Sequence, residues 1–487
     1  MQSTLLKLKP ELLWKYFFEI TKIPHGSGNE APLAEYVIKA AKDNGLAYKQ
    51  DDVGNVVVSK PASAGMEKNK TVILQSHMDM VCEKNKNTVH DFLKDPLKLK
   101  LEGNILSAEG TTLGADNGIG VATQLALMED KTIKHGPIEL LFTVDEERGL
   151  TGAKGIPANF LTGKIMINLD SEKLGVYCIG CAGGQDTVGT LKLNYTKTNI
   201  ENPVLIKLEV KGLAGGHSGI DIDKGRANAL KVLARLLFRL NTVMKLDLAL
   251  IEGGSLRNVI PREASAQIVI PETDMQNLEN IIKQTEKEVR IEYKSTDNQV
   301  NIEQTVVKDT PSKVIVSEQK NKIINMLNSF LHGVLAMSPD IPGLVETSTN
   351  LAVVKVEGDT MKIETTQRSS IDSSKKAVSE SVRSSFALAG FEGIAGNGYP
   401  GWAPNAKSKL VEVCKQINKK HLKTEGVVEA IHAGLECGLI GEKFPGMEMV
   451  SIGATFWGVH SPDEQLDVDS VEPFWNLLTD LIVEAGK

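Results

Sequence analysis

The sequence predicts an α/β protein: one discontinuous domain, with a mixed, largely parallel sheet flanked by helices, interrupted by an inserted α+β domain built of two similar halves. Short apolar runs alternate with longer amphipathic stretches through the first 170 residues, and the same alternation returns near the C-terminus. Between these parts the rhythm changes to strand, helix, strand, strand, helix, and that order occurs twice. The length agrees, since 487 residues exceed the roughly 250–300 at which a single core stops growing.

In the first part, strands are predicted at 72–75, 138–144 and 165–169, and helices at 10–21, 31–44 and 117–129. The last two helices end near Gly45 and the polar Glu129-Asp130-Lys131. The insertion begins with a strand near Val204, a helix at 225–240, strands at 246–251 and 264–270, and a helix at 275–291. Its second half opens with a strand near Asn301 and continues with a helix at 318–331, strands at 351–356 and 361–366, and a helix at 375–389. A helix at 406–420, a Gly-rich stretch from Gly434, a strand at 449–456 and a helix from Val471 close the chain. Residues 1–186 and 397–487 therefore form the split domain, and 187–396 the insertion.

The 55 basic and 62 acidic side chains, net charge -7, leave no basic footprint for nucleic acid and no polybasic membrane patch. Small substrates are the expected partners. The stretch from Met1 to Ile20 mixes Lys7, Lys9, Glu11, Lys15 and Glu19 with apolar positions at helical spacing, unlike a secretory signal. No apolar run approaches the roughly 18–20 residues of a membrane span, and a cytoplasmic protein is expected. Five cysteines fit reduced thiols. Cys178-Ile-Gly-Cys181 has redox or zinc spacing, but no second pair exists, and the Gly-rich sequence after it reads as a loop.

Metal-ligating residue types recur after the apolar runs. The strand ending at His77 is followed two residues later by Asp79, which can reach the ring nitrogen that a metal would leave free; a surface pair is the alternative. Asp116 lies in Gly114-Ala-Asp116-Asn117-Gly118-Ile-Gly120, where it either caps a helix or bridges two cations; no P-loop or Gly-x-Gly-x-x-Gly pattern fits. The strand 138–144 runs into Asp145-Glu146-Glu147. Adjacent acids there are costly unless solvated or offset by cations, and two glutamates could divide between a metal and a water. Asp170 follows a fourth buried run, and His460 follows a late strand. Ligands gather outside the carboxyl ends of strands in open α/β sheets, so His77, Asp116, Glu147, Asp170 and His460 can converge. Histidine and carboxylate donors without thiolate suit zinc, manganese or cobalt. In the insertion, Gly216-His-Ser218 is not a serine-hydrolase turn, because Ile220 stands where Gly-x-Ser-x-Gly needs glycine.

These residues resemble the two-zinc aminoacylase-like metallopeptidases, and within them the cytosolic aminoacyl-histidine dipeptidases (Xaa-His dipeptidases). The likeness spans nearly the whole chain, through His77-Met-Asp79, Gly114-Ala-Asp116-Asn117, Thr143-Val-Asp-Glu146-Glu147, Asn168-Leu-Asp170-Ser-Glu172, Gly215-Gly-His217-Ser218-Gly219 and Ile431-His-Ala-Gly434. The resemblance implies two Zn2+, with Mn2+ or Co2+ as substitutes: His77 and Asp170 hold one, Glu147 and His460 the other, and Asp116 bridges them. It implies Asp79 as the residue orienting His77 and Glu146 as the general base. His217 would help hold the carbonyl oxygen, often from the partner subunit, and Asn258, Arg368 and Gly434 would contact substrate. The insertion becomes a lid and dimerisation domain, the protein a homodimer, and its substrates unblocked dipeptides such as β-alanyl-histidine (carnosine). An N-acyl amino-acid deacylase or other amidohydrolase is the alternative, and a non-catalytic peptide-binding descendant is disfavoured because no ligand position is lost.

Overall fold

The computed structural model describes residues 7–308 and 313–487, so the first six residues of the predicted N-terminal stretch lie outside the described residues. The chain divides into two compact units. One comprises the residues up to Gly180 with Trp402–Ala430 and Leu435–Lys487, and the other Cys181–Gly401 with Ile431–Gly434. Among the described residues no helix is long and apolar enough to cross a membrane.

The first unit is built on an eight-stranded sheet. At its centre Ile138–Thr143, Val72–His77, Ile165–Asn168 and Glu448–Ser451 run parallel to one another. The first three are buried along their whole length, as parallel strands covered on both faces must be. The helix Ala115–Glu129 is buried almost all round and packs on both Val72–His77 and the helix Glu11–Ile20. The expected strand at 449–456 is in fact two. Glu448–Ser451 joins the main sheet beside Ile165–Asn168, while Phe456–Trp457 pairs with Gln465–Asp467 in a separate four-stranded sheet. Between them the chain bonds to the loop after Asp170 instead, with the Phe456 amide donating to the Glu172 carbonyl at 3.1 Å. Gly434 is followed almost at once by the helix Glu436–Lys443.

The second unit carries one long antiparallel sheet, in the order Asn301–Val307, Pro203–Lys211, Ala264–Pro271, Asp247–Gly253, Val345–Glu357, Thr360–Ser369, Gly183–Lys192, Glu392–Ala395. Read outward from the junction of Asp247–Gly253 with Val345–Glu357, its two sides have the same composition. Each half is a strand, a helix, two hairpin strands, a helix and an edge strand. The helices Ala229–Val243 and Met275–Glu292 serve one half, and Ser317–Ser329 and Asp372–Leu388 the other. Their apolar faces share a single core that includes Leu237, Ile268, Leu278, Ile324, Leu351 and Phe386.

The assignment of strands to halves corrects the sequence reading. Asn301–Val307 does not open the second half; it closes the first, paired antiparallel with Pro203–Lys211. The opening strand of the second half is Gly183–Lys192, paired with Thr360–Ser369 over ten register positions. This Gly-rich sequence was expected to be a loop. It is strand because cross-strand partners, not local propensity, fix it.

Asn228 ties the halves together. Its Oδ1 accepts from the amides of Leu230 and Lys231, capping Ala229–Val243, while its Nδ2 donates to the Leu351 carbonyl at 2.8 Å. Asn228→Ala removes the cap and leaves a buried carbonyl without its donor, so it should lower stability by about 2–4 kcal/mol. Gln276→Ala, on an exposed helix face, should shift it by less than about 0.5 kcal/mol. Urea midpoints of the two variants check the difference.

Candidate metal centre

In the first unit the chain delivers its acids and histidines from five places. His77 ends the strand Val72–His77, and Asp170 lies two residues beyond Ile165–Asn168. Glu146 and Glu147 open the short helical turn Glu146–Gly149, after Asp145 takes a left-handed φ of 52°. Asp116 stands just inside the helix Ala115–Glu129, behind Gly114 at φ 68°. His460 lies in the loop after Phe456–Trp457 with φ 61°.

The ligand atoms of His77, Asp116 and Asp170 lie within 4.8 Å of one another, as do those of Asp116, Glu147 and His460. His77 Nε2 is 3.1 Å from Asp116 Oδ1 and 3.2 Å from Asp170 Oδ1. His460 Nε2 is 3.0 Å from Glu147 Oε2 and 3.4 Å from Asp116 Oδ2. Asp116 thus turns one oxygen to each imidazole. Its own backbone is not helical (φ -82°, ψ 108°), and its two oxygens face imidazoles, so the reading as a helix cap does not hold. Asp79 faces the other side of His77: Nδ1 is 3.0 Å from the Asp79 carbonyl and 3.4 Å from its Oδ1.

Several of the contacts that hold this arrangement carry no sequence signal. The Asp79 carboxylate accepts from the amides of Glu146 and Glu147 at 3.0 and 3.2 Å and from the Ser27 hydroxyl at 2.8 Å. Glu464 accepts from four consecutive amides, Leu113 to Asp116, at 2.7 to 3.2 Å, and so fixes the turn that presents Asp116. Asn117 Nδ2 donates to Asp170 Oδ1. Glu436 is fully buried behind the centre, taking bonds from Gln75 and Thr143. By contrast, Cys178 and Cys181 lie on the strand Val176–Cys181, where a spacing of three points their side chains to opposite faces. They do not form a metal clip.

Burial disfavours charge on His77, but Asp170, Asp116 and Asp79 outweigh it and hold its pKa well above the ordinary value. Bonds to Asp116 and Glu147 push His460 up to about 11. Burial raises Asp170 to about 6 and lifts Glu146 well above the usual carboxylate range, with Asp170, Glu436 and Glu147 adding to the rise at Glu146. Asp79 is held down to about 2 in spite of its burial, through His77, the Glu146 amide and Ser27. Glu147 Oε1 is buried without a hydrogen-bond partner among the described residues. An acceptor left open beside crowded carboxylates and imidazoles fits cations, and nitrogen and oxygen donors without thiolate are the set that suits zinc, manganese or cobalt.

The second unit brings together the other candidates. His217 sits on the two-residue strand Gly216–His217, and its Nδ1 accepts from the amides of Gly219 and Ile220, both at 3.2 Å. Burial and the charge of Arg368 keep this imidazole below its ordinary pKa. The neutral ring therefore carries its proton on Nε2, as a donor. Asn258 and Arg368 line one cavity of about 230 Å³ with Asp186, Arg257, Thr366 and Tyr399. His432 is buried with Nε2 2.7 Å from the Ser348 hydroxyl. Gly434 packs its backbone against the ring of Tyr399.

Residues 208–297 match a family model described as a peptidase dimerisation domain, and residues 55–177 match peptidase family M28. The chain is 41% identical over 485 residues to the cytosol non-specific dipeptidase of Escherichia coli, covering 99% of each. It is similar to the crystal structure of aminoacylhistidine dipeptidase from Vibrio alginolyticus, with a TM-score of 0.92 and 39% identity over 99% of this chain and 98% of that one. The aminopeptidase PepT structure from Bacillus cereus shares the fold at a TM-score of 0.57 and 18% identity, covering 99% of this chain and 100% of that one.

Because His77 and His460 are held protonated at pH 7 in the metal-free protein, and a ligating imidazole must be neutral, cation uptake must release protons. Calorimetric titration with Zn2+ in buffers of different ionisation heat should show net proton release, about one per imidazole, and affinity should rise with pH. Uptake without proton release would contradict this electrostatic picture.

Proposed function

Since the chain belongs to the aminoacyl-histidine dipeptidases of the aminoacylase-like metallopeptidase family, which hydrolyse peptide bonds, we propose that it cleaves unblocked Xaa-His dipeptides, carnosine among them. The observation that carries the reading is the placement of Asp116, with one oxygen against each of two imidazoles, beside the orphaned Oε1 of Glu147. We assign His77 and Asp170 to one Zn2+, Glu147 and His460 to a second, and Asp116 to both, with Mn2+ or Co2+ able to substitute. Bound cations at such a site supply Lewis-acid polarisation of the scissile carbonyl and a water acidified to a near-neutral pKa.

The chain's own side chains do the rest. Asp79 orients His77 and, by accepting from two consecutive amides, anchors the turn that carries Glu146 and Glu147. Glu146 need not ligate, since Glu147 does. Burial makes Glu146 a stronger base than an ordinary carboxylate, suited to take a proton from the attacking water and return it to the leaving amine. His217, neutral with its proton on Nε2, is the donor for the oxygen that gains charge. Asn258, Arg368 and Gly434 form the substrate side, with the Arg368 fork receiving the C-terminal carboxylate. The first unit carries the chemistry, and the second acts as lid and dimerisation domain of a homodimer, in keeping with the matched model over residues 208–297. The protein works in the cytosol, as the name of its Escherichia coli relative states of that protein.

Glu146→Gln should keep its full complement of metal by elemental analysis while carnosine turnover falls by about 10²–10⁴-fold. Wild-type enzyme should hydrolyse carnosine and leave an N-acetyl amino acid intact. Substantial turnover by the variant removes Glu146 as base, and preference for the acetylated substrate makes the protein a deacylase.

A further inference from the structure

Tyr399 is fixed from its backbone outward. Its amide donates to the Gly184 carbonyl at 2.9 Å, and its own carbonyl accepts from the Gly184 amide at 3.2 Å and from Lys375 Nζ at 2.5 Å. The ring occupies space that exists only because two neighbours are glycine. A Cβ at Gly184 would fall 2.7 Å from the ring, and one at Gly434 2.9 Å from it, distances that close-packed atoms do not tolerate. At the end of this seat the phenol oxygen accepts from Arg368 Nη1 at 3.0 Å.

Arg368 is buried, and its Nε has no hydrogen-bond partner among the described residues. A guanidinium is a rigid planar fork, so a bond that fixes one Nη fixes the plane of every donor. The Tyr399 bond leaves Nε, together with the remaining Nη, for a bidentate acceptor in the cavity that both residues line. A long buried arginine without such a tether would spread over several rotamers, and ordering it would reduce the affinity of any carboxylate.

We propose that Tyr399 is a positioning residue, which orients Arg368 to receive the C-terminal carboxylate of the dipeptide. The inference rests on the dipeptidase reading above and adds to it the group that sets carboxylate recognition. Gly434, besides its place on the substrate side, then admits the tyrosine ring.

Tyr399→Phe keeps the ring and deletes only the hydroxyl. With a histidyl dipeptide bearing a free carboxylate, KM should rise about ten-fold with kcat little changed, the loss expected of one charge-assisted hydrogen bond. With the matching dipeptide amide, which has no carboxylate to recognise, KM should stay within about two-fold of wild type. Gly184→Ala, whose added Cβ would fall 2.7 Å from the ring and displace it, should show the same split, and melting curves of both variants identify any loss of folding. Equal KM changes for acid and amide, or no change for either, overturn the proposal while leaving the dipeptidase reading intact. A wild-type enzyme that cleaves no dipeptide overturns both.

Discussion

Asp116 sits between two imidazoles, and much of the surrounding backbone is arranged to keep it there. The ion pairs of Asp116, Asp170 and Glu147 among the described residues are all with histidine. No lysine or arginine neutralises them. Oriented N–H groups hold the acids around them instead, four amides on Glu464 and two on Asp79, and the Asn117 side chain donates to Asp170 itself. Amide dipoles lower the cost of burying a carboxylate without filling the space beside it, as a lysine ammonium would. The result is a preorganised, acid-rich cluster of a kind that fits cations.

The ligand-type residues were legible because each sits beside a feature with a strong local pattern. His77, Asp170 and the Glu146-Glu147 pair follow buried apolar runs, and Asp116 follows a glycine that the turn requires at positive φ. Their supports were not legible. Glu464 reaches amides some 350 positions away along the chain, and Ser27 reaches Asp79 across 52, so no window of sequence contains both partners. Tyr399 was missed for a different reason: within Gly-Asn-Gly-Tyr-Pro it reads as turn, and its tie to Arg368 exists only after strand pairing has brought the two segments together. The lowered pKa and fixed tautomer of His217 are likewise properties of packing, invisible in a Gly-Gly-His-Ser-Gly string.

At the level of the fold, hydrophobic period located the helices and the inner strands, since both are set by which residues face a core. It failed where partners override propensity. The three glycines of Gly183–Lys192 suppress strand propensity, yet ten cross-strand positions hold that segment in the sheet. Residues 449–456 fail in the opposite sense: a stretch that reads as one strand is shared between two sheets, with the loop after Asp170 bonding to it in between.

The misplaced strand also bears on how the chain assembles. One half of the second unit is contiguous, from Pro203–Lys211 to Asn301–Val307, so it can close as soon as that stretch has left the ribosome. Gly183–Lys192 is synthesised before that half, but its sheet neighbour Thr360–Ser369 comes long after it. The earlier strand must wait through the birth of a whole sister module, exposing unpaired edges in the interval, and glycines make it a poor template for premature pairing. Its place in the sheet is thus set by partners made about 170 residues later rather than by its own sequence.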